Sequence, residues 1–396
     1  MNNEVIKKIS DTYGTPFYLY DESVILEKIK KIKKAFNGLN FHPTFAVKAN
    51  GNPALLKLIA GAGMGMDIIT PGEMKAALMA GVSPADMVWN GCGKTIEEMN
   101  TYLDVKIGKV NIDSTEELEL WASALKNSES DYQPDFYIRI NPEVSVMTHR
   151  YISTGLKKHK FGVPVDMADD FFKKAKKLKI KISGIHSHIG SQITDVIPFY
   201  QAFYQIAEVA KNYKITKINI GGGFGINYTG EEIDLGAYRK KMLALLKPFD
   251  VTAEFGRYIV ADAGYYVTRV NIVKWNGFKH FVVTDGGMNH LIRPALYGAI
   301  HEFDIIGEID EKFETDYNIV GPLCESGDML YLNWHGNLPL KGALINFKNT
   351  GAYGYSMASN YNSTLKPAEL LFTADRKIKL IRKRETFKEL FGGIVL

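Results

Sequence analysis

From about Pro43 to Phe255 the sequence alternates short β-branched or apolar runs with helical patterns, and eight such runs can be counted. They are TFAVK (ending at Lys48), MDIIT (Met66 to Thr70), MVWN (Met87 to Asn90), KVNID (Lys109 to Asp113), FYIRI (Phe136 to Ile140), ISGIHSH (Ile182 to His188), KINI (Lys217 to Ile220) and VTAEF (Val251 to Phe255). Helix starts are legible between them. Pro53 heads PALLKLIAGAG, Pro71 heads PGEMKAALMAG, and Ser114 opens the capping-box sequence STEE. Eight βα units in series predict an α/β fold closed into a (β/α)8 TIM barrel rather than an open sheet.

The flanks read differently. Asp21 can cap a helix in which Ile25, Ile29, Ile32 and Phe36 recur on one face. After Gly264 the alternation gives way to YYVTRVNIVKW, KHFVVTDGG, KGALINFKN and AELLFTADRKIKLIRKRE, which alternate as antiparallel strands do. The expected division is therefore a barrel over 22–264 and an all-β domain, sandwich or barrel-like, over 265–396, joined by the strand PFYLYD from within 1–21. GAGMG (Gly61 to Gly65) has neither the GxGxxG spacing nor a preceding strand and reads as a helix stop and turn.

Composition narrows the partners. The 48 basic and 44 acidic residues are interspersed, with no basic tract or acidic tail of the kind that binds nucleic acid or membrane surfaces. The two cysteines, Cys92 and Cys324, lie far apart and in no zinc or redox spacing, so a cytoplasmic setting without disulfides or a structural metal is expected. MNNEVIKKISDTYG lacks the apolar core of a signal peptide, and no apolar run is long enough to span a bilayer.

In a barrel of this kind the chemistry sits where strands end. Strand 1 ends in Lys48, strand 6 in His188, strand 7 in GGGFG (Gly221 to Gly225), and strand 8 in Glu254 with Gly256 and Arg257. Taken singly, each has a plain structural reading: a strand-end lysine is usually a solvated charge, a triglycine turn usually just a turn, and His186 with His188 could be packed residues or a metal pair. The metal reading weakens because further strand-end His and Asp ligands are not evident. Taken together they have one logic. A lysine forms an imine with an aldehyde cofactor, a glycine turn holds its phosphate, an imidazole stacks on its ring, and a carboxylate keeps the ring nitrogen protonated. That set points to pyridoxal 5'-phosphate, and the carboxylate in particular to a strong electron sink for breaking a bond at Cα.

The motifs FAVKAN (Phe45 to Asn50), YISTGLKKHKFGV (Tyr151 to Val163), HIGSQ (His188 to Gln192), GGGFGI (Gly221 to Ile226), DGGMNHLIRPALYGA (Asp285 to Ala299), CESGD (Cys324 to Asp328) and GAYGYSMASNYNS (Gly351 to Ser363) resemble those of the diaminopimelate decarboxylases, within the alanine-racemase-like, fold-type III group of pyridoxal-phosphate enzymes. The likeness runs from about residue 14 to the C-terminus. It implies decarboxylation of meso-2,6-diaminopimelate to L-lysine, the final step of lysine biosynthesis, with a related decarboxylase of another basic or diamino acid as the alternative. Carried over by motif, it implies that Lys48 binds the cofactor covalently, His188 stacks on it and Glu254 bonds its ring nitrogen, while Ser191, Gly223, Gly256 and Arg257 hold the phosphate. Arg257, Arg293, Tyr297 and Tyr353 are implied to bind phosphate or substrate carboxylates. Cys324 and Glu325 are implied to come from the partner subunit of a homodimer with shared active sites, Glu325 reading the distal ammonium. Three positions depart from the family's usual pattern: Phe255 where Pro is general, Arg150 where Pro is usual, and His290 where Asp is usual.

Overall fold

A computed structural model describes residues 1–144 and 160–395. The chain divides into two units: Glu27–Ile226 with Glu231–Tyr258, and Met1–Leu26 with Asn227–Gly230 and Ile259–Leu396. Asn227–Gly230, inside the barrel's span by sequence, belongs to the second of these.

The first unit is a closed barrel of eight parallel strands: Asn40–Ala46, Gly65–Ile68, Met87–Trp89, Lys109–Ile112, Asp135–Asn141, Ile182–His186, Lys217–Asn219 and Asp250–Phe255. Each pairs with the next, and the eighth closes on the first, with Phe255 opposite Phe45. All eight runs seen in the sequence are strands, though most end earlier than the apolar pattern does. Lys48 lies in a 3-10 turn, Val47–Ala49, just past the first strand, and His188 lies two residues past the sixth. The chemically interesting residues thus sit on loops rooted in strands.

Helix starts follow local capping. Asn52 accepts a hydrogen bond from the Ala54 N–H and Thr70 from Glu73, each before a proline at the helix start. Ser114 accepts from the Glu117 N–H at 3.2 Å, but the Glu117 carboxylate departs from the capping-box expectation. It is buried, accepts from the Asp113 N–H, and pairs with the equally buried Lys94 at 2.9 Å. Burial explains the change, because a dehydrated carboxylate needs a countercharge more than it needs the cap.

Phe255 is also accounted for. It is buried among Phe36, Phe41 and Phe224, its ring centroid 4.7 Å from that of Phe224 in the GGGFG turn. Phe224 in turn meets Phe199 and Tyr238. An aromatic cluster therefore packs beneath the glycine-rich turn, and truncating Phe255 to Ala would cost about 3–5 kcal/mol.

The second unit is built on a nine-stranded sheet. The strand Phe17–Asp21 lies between Gly264–Trp275, to which it is antiparallel, and Ala368–Phe372, to which it is parallel. His280–Thr284 and Ile309–Val320 are parallel as well. The sequence suggested antiparallel pairing throughout, but strands far apart along the chain can meet in either sense when a long connection returns between them. The helix Asn3–Tyr13 covers the sheet, burying Ile6 and Ile9 against Phe17, Leu19, Val267, Leu344 and Leu370. Among the described residues no helix is long and apolar enough to cross a membrane.

Candidate active site

The sixth-strand and seventh-strand loops of the barrel are laced together. Ile193 N–H donates to the Gly223 carbonyl at 2.9 Å, and the Gly225 N–H donates back to Ile193 at 3.0 Å. Gly223 has φ +106°, and a Cβ there would come within 2.5 Å of the Gly190 carbonyl oxygen, so only glycine fits. Arg257, buried at the start of the short helix Arg257–Val260, donates through Nη2 to Ser191 Oγ at 3.0 Å. Ser191, Gly223 and Arg257 are thereby held in one cluster. Gly256 joins it to the first strand, since a Cβ on Gly256 would meet the Ala46 and Ala49 methyls at 3.2 Å. Lys48, between those two buried alanines, is itself exposed.

His188 is fixed by the Gly222 N–H, which donates to Nδ1 at 3.0 Å. Burial, reinforced by the charges of Lys48 and Arg139, pushes its pKa well below the ordinary histidine value, so the ring is neutral with its proton on Nε2. His186 faces a different partner: it is buried, with Nε2 3.3 Å from Glu254 Oε1. His188 Nδ1 is thus taken up by a backbone N–H and His186 Nε2 faces a carboxylate, and among the described residues no group of three or more His, Cys, Asp and Glu side chains is arranged to hold a metal.

Glu254 is buried in the barrel interior and surrounded by amides. Asn90 and Asn219 each donate to its Oε1 at 2.8 Å, and Asn111 at 3.4 Å. Asn90 also donates to Asp67 Oδ1 at 2.6 Å, so two buried carboxyls share one amide. Burial works against charge on Glu254, but the neighbouring His186 and the Asn90 amide bring its carboxyl below the ordinary carboxylate range. Asp67, driven up by burial and by the charge of Glu254, is held well above that range. One proton on Asp67 and an ionised Glu254 is the arrangement the amides favour, because three of them donate to Glu254 and one to Asp67.

In the sheet unit, Arg293 is buried at the start of the short helix Arg293–Tyr297. Its Nη1 donates to Tyr228 Oη at 2.9 Å and lies 3.0 Å from His301 Nε2, with the guanidinium over the Tyr228 ring. His301 Nδ1 in turn meets the Lys348 carbonyl, so the imidazole that supports the arginine is itself anchored. Tyr297 and Tyr353 are half-buried, and Tyr353 has φ +58°. The CESGD loop is organised by Asp328, whose carboxylate accepts from the Met288 and Leu323 N–H groups at 2.6 and 2.8 Å. Cys324 N–H donates to Asn362 Oδ1, Tyr361 Oη reaches Glu325 Oε2 at 3.4 Å, and both Cys324 and Glu325 are exposed. Three motifs distant in sequence, DGGMN, CESGD and SNYNS, meet here.

Residues 22–261 match the family described as pyridoxal-dependent decarboxylase, pyridoxal binding domain. The chain is 39% identical over 395 residues to the diaminopimelate decarboxylase of Campylobacter jejuni, covering 97% of this chain and 96% of that one. It is 38% identical to the diaminopimelate decarboxylase of Aquifex aeolicus, with 96% and 92% covered. The crystal structure of the Helicobacter pylori diaminopimelate decarboxylase complexed with L-lysine superposes with a TM-score of 0.92 at 36% identity, 98% of each chain being covered. The chain belongs to the diaminopimelate decarboxylase family.

Against that family's usual pattern, His290 is a packing residue. It is buried, with Nδ1 3.3 Å from Tyr266 Oη and Nε2 3.0 Å from the Leu365 carbonyl, and burial lowers its pKa to about 4. Arg150, and most of the YISTGLKKHKFGV motif, lie outside the described residues. Sequence reasoning missed Asp67, Asn90, Asn111 and Asn219 and weighed His186 only as a packed residue or metal ligand. Their common signal is a polar side chain at or near the C-terminal end of an apolar barrel strand.

Proposed function

We propose that this family member removes one carboxylate of meso-2,6-diaminopimelate as carbon dioxide and releases L-lysine, using pyridoxal 5'-phosphate, in the cytoplasm. The observation that carries the reaction type is Glu254, a carboxylate buried in the barrel and hydrogen-bonded so as to stay ionised. The substrate reading is supported by full-length relatives that are diaminopimelate decarboxylases, one of them crystallised with L-lysine.

The residues present fit the cofactor. A glycine turn in which a Cβ would collide with backbone makes a cradle for a phosphate, with Ser191 Oγ and the Arg257 guanidinium beside it. All the hydrogen bonds given to Glu254 by the described side chains fall on Oε1, which leaves Oε2 for a ring nitrogen. When bound, pyridoxal phosphate supplies an aldehyde for the substrate amine and a ring that takes up the electron pair released as carbon dioxide departs. Lys48 holds the aldehyde. Ser191, Gly223 and the backbone of Gly256 and Arg257 hold the phosphate, with Tyr353 contributing to both cofactor and substrate. His188, immobilised by the Gly222 N–H, would lie against the ring, and Glu254 would keep a proton on its nitrogen.

Arg293 and Arg257 bind substrate carboxylates through a planar fork, and Tyr297 is assigned to the same substrate. Glu325 bonds the distal ammonium, and the Cys324 thiol offers a proton at the carbon that has lost its carboxylate. Each chain of a homodimer lends Cys324 and Glu325 to its partner. The test is to incubate the protein with pyridoxal phosphate and, separately, meso-diaminopimelate, lysine, ornithine and arginine, following carbon dioxide and products. Carbon dioxide with L-lysine from diaminopimelate is expected. A clear preference for another amino acid would overturn the substrate assignment, and no carbon dioxide from any would overturn the reaction.

A further inference from the structure

Among the described residues, the side chains that hydrogen-bond Glu254 all do so through Oε1. The seventh strand brings Asn219, whose Oδ1 accepts the Gly221 N–H at 2.9 Å while its Nδ2 donates to Glu254 Oε1 at 2.8 Å. That pair of bonds fixes which way the amide points and ties the carboxylate to the first residue of the glycine-rich turn. Asn90, at the end of the third strand, is oriented in the same manner: its Oδ1 accepts from Asn111 Nδ2 at 2.6 Å, so its Nδ2 must face Asp67 and Glu254. Asn111, from the fourth strand, adds a longer donor at 3.4 Å, and His186, from the sixth, lies with Nε2 3.3 Å from the same oxygen without completing a hydrogen bond. All of these side chains are buried, with exposures between 0% and 6%, so water does not compete for the carboxylate.

We propose that Asn90, Asn111 and Asn219 are positioning residues forming a one-sided clamp, which occupies Oε1 of Glu254, presents Oε2 to the cofactor ring, and keeps the carboxylate ionised next to Asp67. The inference rests on the reading of the barrel as a pyridoxal-phosphate site. Its chemical sense is that a buried carboxylate loses its charge unless donors compensate for the missing water, and a neighbouring carboxyl makes that loss easier still. Neutral amides supply donors at every pH, whereas a histidine or lysine in their place would bring its own titration. The clamp also links two parts of the site, since Asn219 holds Glu254 and the turn at once.

Asn219→Asp is the diagnostic substitution. It keeps the size of the side chain and the acceptor for Gly221, but turns the donor facing Glu254 into a third carboxyl. The holoenzyme variant should show a visible cofactor spectrum that changes with pH between 5 and 8, and wild type should not. Its kcat should fall by about tenfold or more at the low end with KM for diaminopimelate nearly unchanged, as expected for loss of a bond to a charged group. Asn111→Asp should show the same pH dependence more weakly, because its donor is longer. In the Glu254→Gln background, adding Asn219→Asp should leave the pH dependence of the spectrum as it is in Glu254→Gln alone, since no carboxylate remains at position 254 for the clamp to act on. If wild type binds pyridoxal phosphate but Asn219→Asp has the wild-type spectrum and pH profile, the clamp is wrong while the function stands. If wild type binds no pyridoxal phosphate, the functional reading itself fails. Loss of folding in both Asn219→Asp and Asn111→Asp, seen by far-UV circular dichroism, would assign the amides a purely structural role and overturn the proposal.

Discussion

Replacing Glu254 with Gln separates the charge of this side chain from its shape. The amide oxygen can still accept from Asn90 and Asn219, which now meet Oε1 at 2.8 Å, so the barrel should fold as wild type does. What disappears is the anion. A hydrogen bond to a charged group contributes about 1.5–3 kcal/mol against about 1 kcal/mol for a neutral pair, so cofactor affinity should drop by about 1–2 kcal/mol, roughly 5- to 30-fold. Turnover should suffer more, because the charge matters most as electrons move into the ring, and a preorganised electrostatic partner is worth about 3–4 kcal/mol, roughly 10²- to 10³-fold in kcat. Carbon dioxide release at saturating substrate and cofactor gives kcat, and titration of the visible absorbance gives the cofactor affinity. Glu254→Ala provides the contrast: it strands the donors of Asn90, Asn111 and Asn219 at about 1–3 kcal/mol each and should lower stability to urea by several kcal/mol. A Gln variant with kcat within about threefold of wild type, or an Ala variant as stable as wild type, would refute the reasoning.

Three further outcomes follow from the geometry. Arg293→Lys keeps a charge but cannot satisfy Tyr228 Oη and His301 while stacking on the Tyr228 ring, so kcat/KM should fall roughly 10- to 100-fold with the cofactor spectrum intact; wild-type kinetics would make Arg293 structural. Burial holds the His290 pKa at about 4 against an ordinary 6.5, so the unfolded chain binds a proton that the folded one refuses; its contribution is intact above pH 6.5 and is lost as pH falls toward 4, about 3 kcal/mol in all. Urea unfolding at pH 7 and 5 should show part of this loss in wild type and less of it in His290→Gln; equal pH slopes would contradict it. Mixing inactive Lys48→Ala with inactive Cys324→Ala should restore activity, because about half the dimers are mixed and one site in each is intact, so roughly a quarter of sites recover; activity no higher than the mean of the two variants would place Cys324 in its own chain's site.

Much of the fold was legible because barrel strands buried on both faces are continuous apolar runs, and MDIIT, KVNID and VTAEF announce themselves against their helical neighbours. The strand ends were less so, since Lys48 and His188 continue the pattern for a residue or two after the hydrogen-bonded ladder has stopped. Sheet pairing in the second unit was not legible: nothing in AELLF says that it will run parallel to FYLYD, more than 300 residues away. Of the candidate site, the titratable and glycine positions stood out by residue type, and Ser191, Gly223 and Arg257 do lie together. The asparagines did not stand out, because an amide at a strand end carries no charge and has an ordinary surface reading. Only the closed barrel, which turns Asn90, Asn111 and Asn219 onto one oxygen, gives them a role. Glu117 shows the same limit, a capping residue by spacing but a buried partner of Lys94 by packing.

The central claim is that the barrel mouth holds pyridoxal phosphate on Lys48. Reducing the loaded protein with borohydride, digesting it and mapping the modified lysine by mass spectrometry tests this directly. The account predicts one phosphopyridoxyl group, on the peptide containing FAVKAN, and none in Lys48→Ala. Stoichiometric labelling of any other lysine, or undiminished labelling in Lys48→Ala, would contradict it.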